Sequence, residues 1–233
     1  MSIDPAVVAR RADEVRHRIA AAGGDPARVT LVAVTKGFGP DAAAAALAAG
    51  LVDLGENYAQ ELVHKAEVLA GAEPRPRWHA IGRLQRNKVK ALAPWVALWQ
   101  SIDRLDLGLE VARRAPGAAV LIQVNVSDEP QKGGAAPEAV DGLQARLTDA
   151  GLDVRGLMAV GATGPPEAAR AGFRVVRQIA DRLELGERSM GMTGDLEGAV
   201  AEGATMVRVG TALFGARALR PGVRDYGSRV QED

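Results

Sequence analysis

The chain has 233 residues, 47% of them hydrophobic, with 29 Lys plus Arg against 29 Asp plus Glu and a formal net charge of +0. That length and apolar share suit one large core, and the balanced charge supplies no field to draw nucleic acid or an anionic membrane. The absence of cysteine excludes disulfides and thiolate metal sites, and His17, His64 and His79 lack ligand spacing, so no metal is expected.

Met1-Ser2-Ile3-Asp4-Pro5 carries no basic leader before an apolar stretch, and no apolar run is long enough to span a bilayer, so the expected location is cytoplasmic. An opening helix is predicted from about Pro5 to Ala21. Apolar strands are then predicted at 29–34, 51–54, 77–81, 96–101, 119–126, 154–160, 188–190 and 206–209. Between them run helical patterns: Leu62, Ala66 and Leu69 after the second strand; Val140, Leu143 and Leu147 after the fifth; Ala169, Phe173, Val176, Ala180 and Leu183 after the sixth. Pro137 and Pro166 stand where a first helical turn accepts proline, and the tract Ala42 to Ala46 reads as helix. Strict alternation implies parallel strands, and eight βα units predict a closed (β/α)8 TIM barrel with an extra N-terminal helix. A doubly wound sheet is the runner-up. The expected organisation is one domain over 1–233, with the N-terminal helix in 1–28 and a charged, partly frayed tail in 216–233.

In such a barrel ligands lie at the C-terminal ends of the strands. Lys36 follows the first strand, on the face of Val32 and Val34; an amine there is either a strand end reaching water or, where desolvation favours its neutral form, a nucleophile toward aldehydes and ketones. The second strand leads into Gly55-Glu56-Asn57-Tyr58 and the third holds His79, whose position within a strand also suits a packed histidine. Glu56 equally suits a helix N-terminus. Ser189, Gly191, Thr193, Gly210 and Thr211 supply hydroxyls and close-approach glycines suited to a phosphate, although the same types serve as ordinary turn and cap residues. Arg208 alternates with Val207 and Val209 and therefore points into the barrel, toward Asp195, Glu56 or a ligand acceptor. The basic run Arg83 to Lys90 reads as a solvated helix face rather than a nucleic-acid contact, and Lys132 beside Gly133 and Gly134 has no assigned role.

Together these segments resemble the pyridoxal phosphate homeostasis proteins, single-domain relatives of the alanine racemase barrel. The likeness is carried by Val32-Ala33-Val34-Thr35-Lys36, Gly55-Glu56-Asn57-Tyr58, Trp78-His79, Ile81-Gly82-Arg83-Leu84-Gln85-Arg86-Asn87-Lys88, Gln123-Val124-Asn125, Gly156-Leu157-Met158, Ser189-Met190-Gly191-Met192 and Met206-Val207-Arg208-Val209-Gly210-Thr211. It implies pyridoxal 5′-phosphate (PLP) held as a Schiff base on Lys36 and Arg208 facing the pyridine nitrogen. It also implies Ser189, Gly191, Met192, Thr193, Gly210 and Thr211 around the phosphate, and Asn57 and His79 along the ring. An arginine at that nitrogen keeps it unprotonated and makes the ring a poor electron sink. Racemisation needs a proton-transfer group on each face, supplied in alanine racemases by the lysine and by a tyrosine of a second domain of the partner subunit. With Tyr58 and Tyr226 alone and a short tail after the last strand, no second domain is expected here. The expectation is a monomeric, non-catalytic PLP carrier that makes transient contact with PLP-dependent apoenzymes. The alternatives are a weak PLP-dependent racemase or transaminase-like enzyme and, from another class, a phosphosugar barrel that uses the lysine without a cofactor.

Overall fold

A computed structural model describes residues 3–127 and 129–216. The expectations for the tail beyond Ala216, including Tyr226, lie outside the described residues. Among the described residues, eight parallel strands close in sequence order: β1 (Thr30–Val34), β2 (Asp53–Glu56), β3 (Arg77–Ala80), β4 (Val96–Ile102), β5 (Ala119–Val124), β6 (Asp153–Ala159), β7 (Glu187–Ser189) and β8 (Met206–Val209). Closure is made by β1 against β8, with Val32 opposite Arg208 and Ala33 opposite Val209. The barrel is the predicted one, and the doubly wound sheet is set aside.

The second strand lies about two residues later than 51–54. Leu51 and Val52 lead into it, and the pairing begins with Asp53 opposite Arg77. A charged residue at each of its ends, Asp53 and Glu56, hides this strand from an apolar reading, yet all four of its residues are buried. The basic run is also not one helix: residues 83–85 have no regular secondary structure, Arg86–Lys88 form a 3-10 turn and α4 spans only Val89–Leu92. Leu84 and Val89 are buried there while Arg83, Arg86 and Lys90 are exposed, so the solvated basic face holds even though the helix does not.

The surrounding helices are α1 (Pro5–Ala21), α2 (Pro40–Ala48), α3 (Ala59–Val68), α5 (Leu105–Arg114), α6 (Val140–Asp149), α7 (Pro166–Arg182), α8 (Leu196–Ala201) and α9 (Thr211–Phe214). Their apolar stripes meet the outward-facing strand residues, among them Leu31, Ala33, Trp78, Trp99, Ile122, Leu157, Val207 and Val209, in one continuous core. Val8, Ala12, Val15 and Ile19 lay α1 against α2, α8 and α9. Its arginines then reach the barrel's C-terminal turns: Arg11 donates to Leu213 O at 3.0 Å, and Arg18 to Thr193 O at 2.9 Å and to Glu197. The extra helix thus holds the turns after β7 and β8 in place.

Inside the barrel, Val32, Leu98, Ala119, Leu121, Met158 and Met206 form a small apolar cluster. The other inward positions include His79, Gln100, Gln123, Ser189 and Arg208, all buried. A polar interior of this kind must be internally hydrogen-bonded, since each unpaired group costs about 1–3 kcal/mol.

On the outer wall, Arg170, Arg174 and Arg177 of α7 converge on the buried Glu202 at 2.8, 3.2 and 3.0 Å. Burial pushes the Glu202 carboxyl up, but the arginine hydrogen bonds and charges outweigh it and hold it below its ordinary value near 4.5. A depressed carboxylate contributes stability above its unfolded pKa, and that contribution is lost as pH falls through the folded value. Glu202→Gln is therefore expected to lower stability by about 1 kcal/mol at pH 7, because the arginines are half-exposed and screened. The gap from the parent should narrow below pH 4.5 in denaturant melts across pH; a gap that widens in acid would contradict this.

Candidate functional site

Lys36 sits in the turn immediately after β1, half-buried, with its strand neighbours Val32 and Val34 lining the interior beside Gly55. Lys36 itself lies past the end of the strand, beyond the reach of its alternation, and is half-buried rather than buried. Around the C-terminal rim the neighbouring strands bring up Asn57 past β2, the Gly191-Met192-Thr193 turn past β7, and Gly210 and Thr211 leading into α9. Arg208 lies one level below, inside the barrel and 5% exposed. Lys36 follows Val32, the register partner of Arg208, by four positions. That is up to about 13 Å of extended chain, a space that two long side chains and one small ring between them would fill.

Two glycines shape this rim. A Cβ on Gly82 would run into the backbone of Asn57, so the loop after β3 closes directly on the loop after β2. Gly191 has φ +95°, a left-handed conformation costly for other residues, and turns the chain so that Asp195 Oδ1 accepts from Met192 N at 2.6 Å. The start of α9 presents its first amides beside the Thr211 hydroxyl, where a helix has no internal partners for them.

Arg208 pairs with neither Asp195 nor Glu56. Nη1 donates to Ser189 O and Oγ, and Nη2 to Ala159 O, each at 2.7 Å. Burial lowers the guanidinium to about 10, partly offset by the charge of Asp195, so it remains cationic at neutral pH. Of its five N–H donors, these bonds use three, which leaves two for a ligand acceptor. Substituting Arg208→Met would strand Ser189 O and Ala159 O, with an expected loss of roughly 2–4 kcal/mol in urea melts.

Glu56 does not cap a helix. It is 1% exposed and forms an ion pair with Lys65, itself 1% exposed, while also accepting from Thr35 Oγ1. Lys65 Nζ donates as well to Thr35 O at 2.8 Å, and Glu61 Oε2 accepts from Gly37 N at 2.8 Å. The two peptide groups flanking Lys36 are therefore tied to one buried cluster. Burial holds the Glu56 carboxyl above its usual range despite the opposing charge of Lys65, and its Oε2 has no hydrogen-bond partner among the described residues. Lys65 was not foreseen, because it sits on the apolar stripe of α3 between Leu62 and Ala66; the Glu61 to Lys65 spacing was the available signal.

His79 is set apart from the rim. Its ring is buried inside β3, with Nε2 3.0 Å from Asp53 Oδ1 and Nδ1 2.7 Å from Gln100 Nε2. The Ser189 hydroxyl likewise faces inward, donating to Gln100 Oε1 at 2.7 Å. Lys132 acquires a structural place: it donates to Gly161 O and to Glu129, and Glu129 also accepts from the N–H and hydroxyl of Thr163. Lys132 and Thr163 hold the Glu129 carboxyl down to about 2, so the loops after β5 and β6 are joined at the rim. Among the described residues no group of three or more His, Cys, Asp or Glu could hold a metal ion, and no helix is long and apolar enough to cross a membrane.

Residues 3–218 match the family model described as alanine racemase, N-terminal domain. A pyridoxal phosphate homeostasis protein of Pseudomonas aeruginosa is 42% identical over 229 residues, covering 95% of this chain and 96% of that one. PipY of Synechococcus elongatus, solved with PLP bound, superposes with a TM-score of 0.75 at 32% identity, covering 86% of this chain and 100% of that chain. The alanine racemase of Corynebacterium glutamicum, at 18% identity and a TM-score of 0.70, shares the fold over 92% of this chain and 62% of its own. The chain belongs to the alanine racemase N-terminal domain family and, within it, to the pyridoxal phosphate homeostasis proteins.

Proposed function

We propose that this protein binds PLP at the C-terminal mouth of the barrel and serves vitamin B6 homeostasis as a monomeric cytoplasmic carrier rather than as an enzyme. The observation that carries the reading is the placement of Lys36 just past β1 and the cationic Arg208 within the paired strand β8, four positions apart in register, with two glycine-bearing turns beside them. The donor set fits the cofactor's chemistry: an amine for an aldehyde, two spare guanidinium donors for a ring nitrogen, and amide-rich turns for a phosphate dianion.

When bound, PLP supplies an aldehyde carbon that condenses with a primary amine, forming a C=N bond and releasing one water. Lys36 supplies that amine, from a turn whose two flanking peptides are fixed by Lys65 and Glu61. Gly191, Met192, Thr193, Gly210 and Thr211 receive the phosphate, with Ser189 acting through Arg208, and Asn57 borders the ring. Arg208 donates to the ring nitrogen and withholds a proton from it, which weakens carbanion stabilisation and favours holding over turnover. Tyr58, past β2 at the rim, is 42% exposed and so is not enclosed as a proton-transfer group would be.

The test is proton exchange at Cα of D- and L-alanine in deuterium oxide with PLP-loaded protein. No incorporation over a long incubation is expected. Robust incorporation that is lost in Lys36→Ala would replace the carrier by a racemase or transaminase-like enzyme.

A further inference from the structure

Five buried side chains from five strands form one hydrogen-bonded line through the barrel. Asp53 opens β2, His79 lies in β3, Gln100 in β4, Ser189 ends β7 and Arg208 lies in β8; the line crosses the interior from β4 to β7. Consecutive polar atoms are 3.0, 2.7, 2.7 and 2.7 Å apart. With one hydrogen on the His79 ring, the direction of every bond follows from its first member. Burial pushes the Asp53 carboxyl up, but hydrogen bonds from His79 and Arg77 outweigh it and keep it below the usual range, so it only accepts. His79 must then carry its hydrogen on Nε2, and a neutral imidazole with Nε2–H can only accept at Nδ1. Gln100 must therefore turn its NH2 toward His79, which aims its oxygen at Ser189. The Ser189 hydroxyl must donate to that oxygen, and its lone pairs are left for Arg208.

The Gln100 amide has an independent reason to hold this orientation. Its Nε2 also lies 3.0 Å from Met206 Sδ, a weak acceptor. Reversing the amide would set its oxygen against both the sulfur and the imidazole lone pair.

We infer that Asp53, at the N-terminal end of the barrel, fixes the polarity of this line, and that Asp53, His79 and Gln100 are positioning residues for the Arg208 guanidinium. The consequence for ligand binding rests on the reading of Arg208 as the donor to the PLP ring nitrogen; the line itself does not. Arg208 touches the ligand, whereas the other three act through Ser189. His79 accordingly serves from beneath the site rather than along the ring.

Two measurements separate the claims. In PLP-free protein, long-range 15N–1H spectra should show His79 as the Nε2–H tautomer, and the Arg208 Nη hydrogens should exchange slowly. Asp53→Asn and Gln100→Leu should speed that exchange at least tenfold. Gln100→Glu keeps the acceptor for Ser189 but removes the donor to His79, so it should convert the ring to imidazolium and leave Arg208 slow. An Nδ1–H ring in the parent protein overturns the inference. So does an Arg208 signal indifferent to Asp53→Asn and Gln100→Leu in variants with parental circular dichroism. In the second measurement, Gln100→Leu should bind PLP about tenfold more weakly than the parent. Equal binding by both would sever the line from the ligand site, whereas no binding by the parent would defeat the PLP reading and leave the spectra to judge the line.

Discussion

Lys36→Ala is expected to bind PLP at least about tenfold more weakly than the parent chain, and to lose the visible absorption band that an amine condensed with PLP produces. The reason is local. Non-covalent contacts from Arg208 and the two turns remain, so weak binding persists, but the bond that fixes the aldehyde end does not form. The variant should keep its fold, because Lys36 lies in a turn past the end of β1 and is not part of the core. Titration followed by absorbance reads both effects at once. Equal affinity and an undiminished band would mean that another amine is the principal site, and would remove Lys36 from its assigned role.

The largest expected effect on stability belongs to Lys65→Met. The thioether side chain fits the apolar stripe of α3, but it leaves Glu56 buried with no cation and releases Thr35 O. Removing one member of a buried pair typically costs about 3–5 kcal/mol, more than replacing both. Glu56 responds by taking up a proton. A carboxyl whose folded pKa is raised is most stabilising at low pH, and that contribution is lost as pH rises through the folded value. The variant should thus be less impaired at pH 5 than at pH 8 in urea melts. The double substitution Lys65→Met with Glu56→Gln should recover part of the loss, since it no longer buries an ion. A single variant as stable as the parent, or one worse in acid than in base, would show that the pair is not the buried ionic contact described here.

These cases show where sequence reading succeeded and where it stopped. The barrel was legible because its outward strand positions and helix stripes repeat with the periods that burial imposes, as in Phe173, Val176 and Ala180 on α7. Arg208 was legible as inward-facing because Val207 and Val209 flank it; its partners were not, since Ser189 O and Ala159 O are main-chain acceptors with no residue-type signature. The second strand was misplaced because Asp53 and Glu56 are charged residues whose burial depends on partners elsewhere in the chain, Arg77 and His79 for one and Lys65 for the other. Lys65 was hidden for the same reason. Gln100 offered no local clue, because its role comes from joining β4 to β7 across the interior.

The most direct test of the central claim is the absorption spectrum of the purified protein with and without PLP, followed by borohydride reduction and peptide mapping. The account predicts a visible band and a single reduced adduct on the peptide that contains Lys36. The absence of a band, or label scattered over surface lysines, would contradict it.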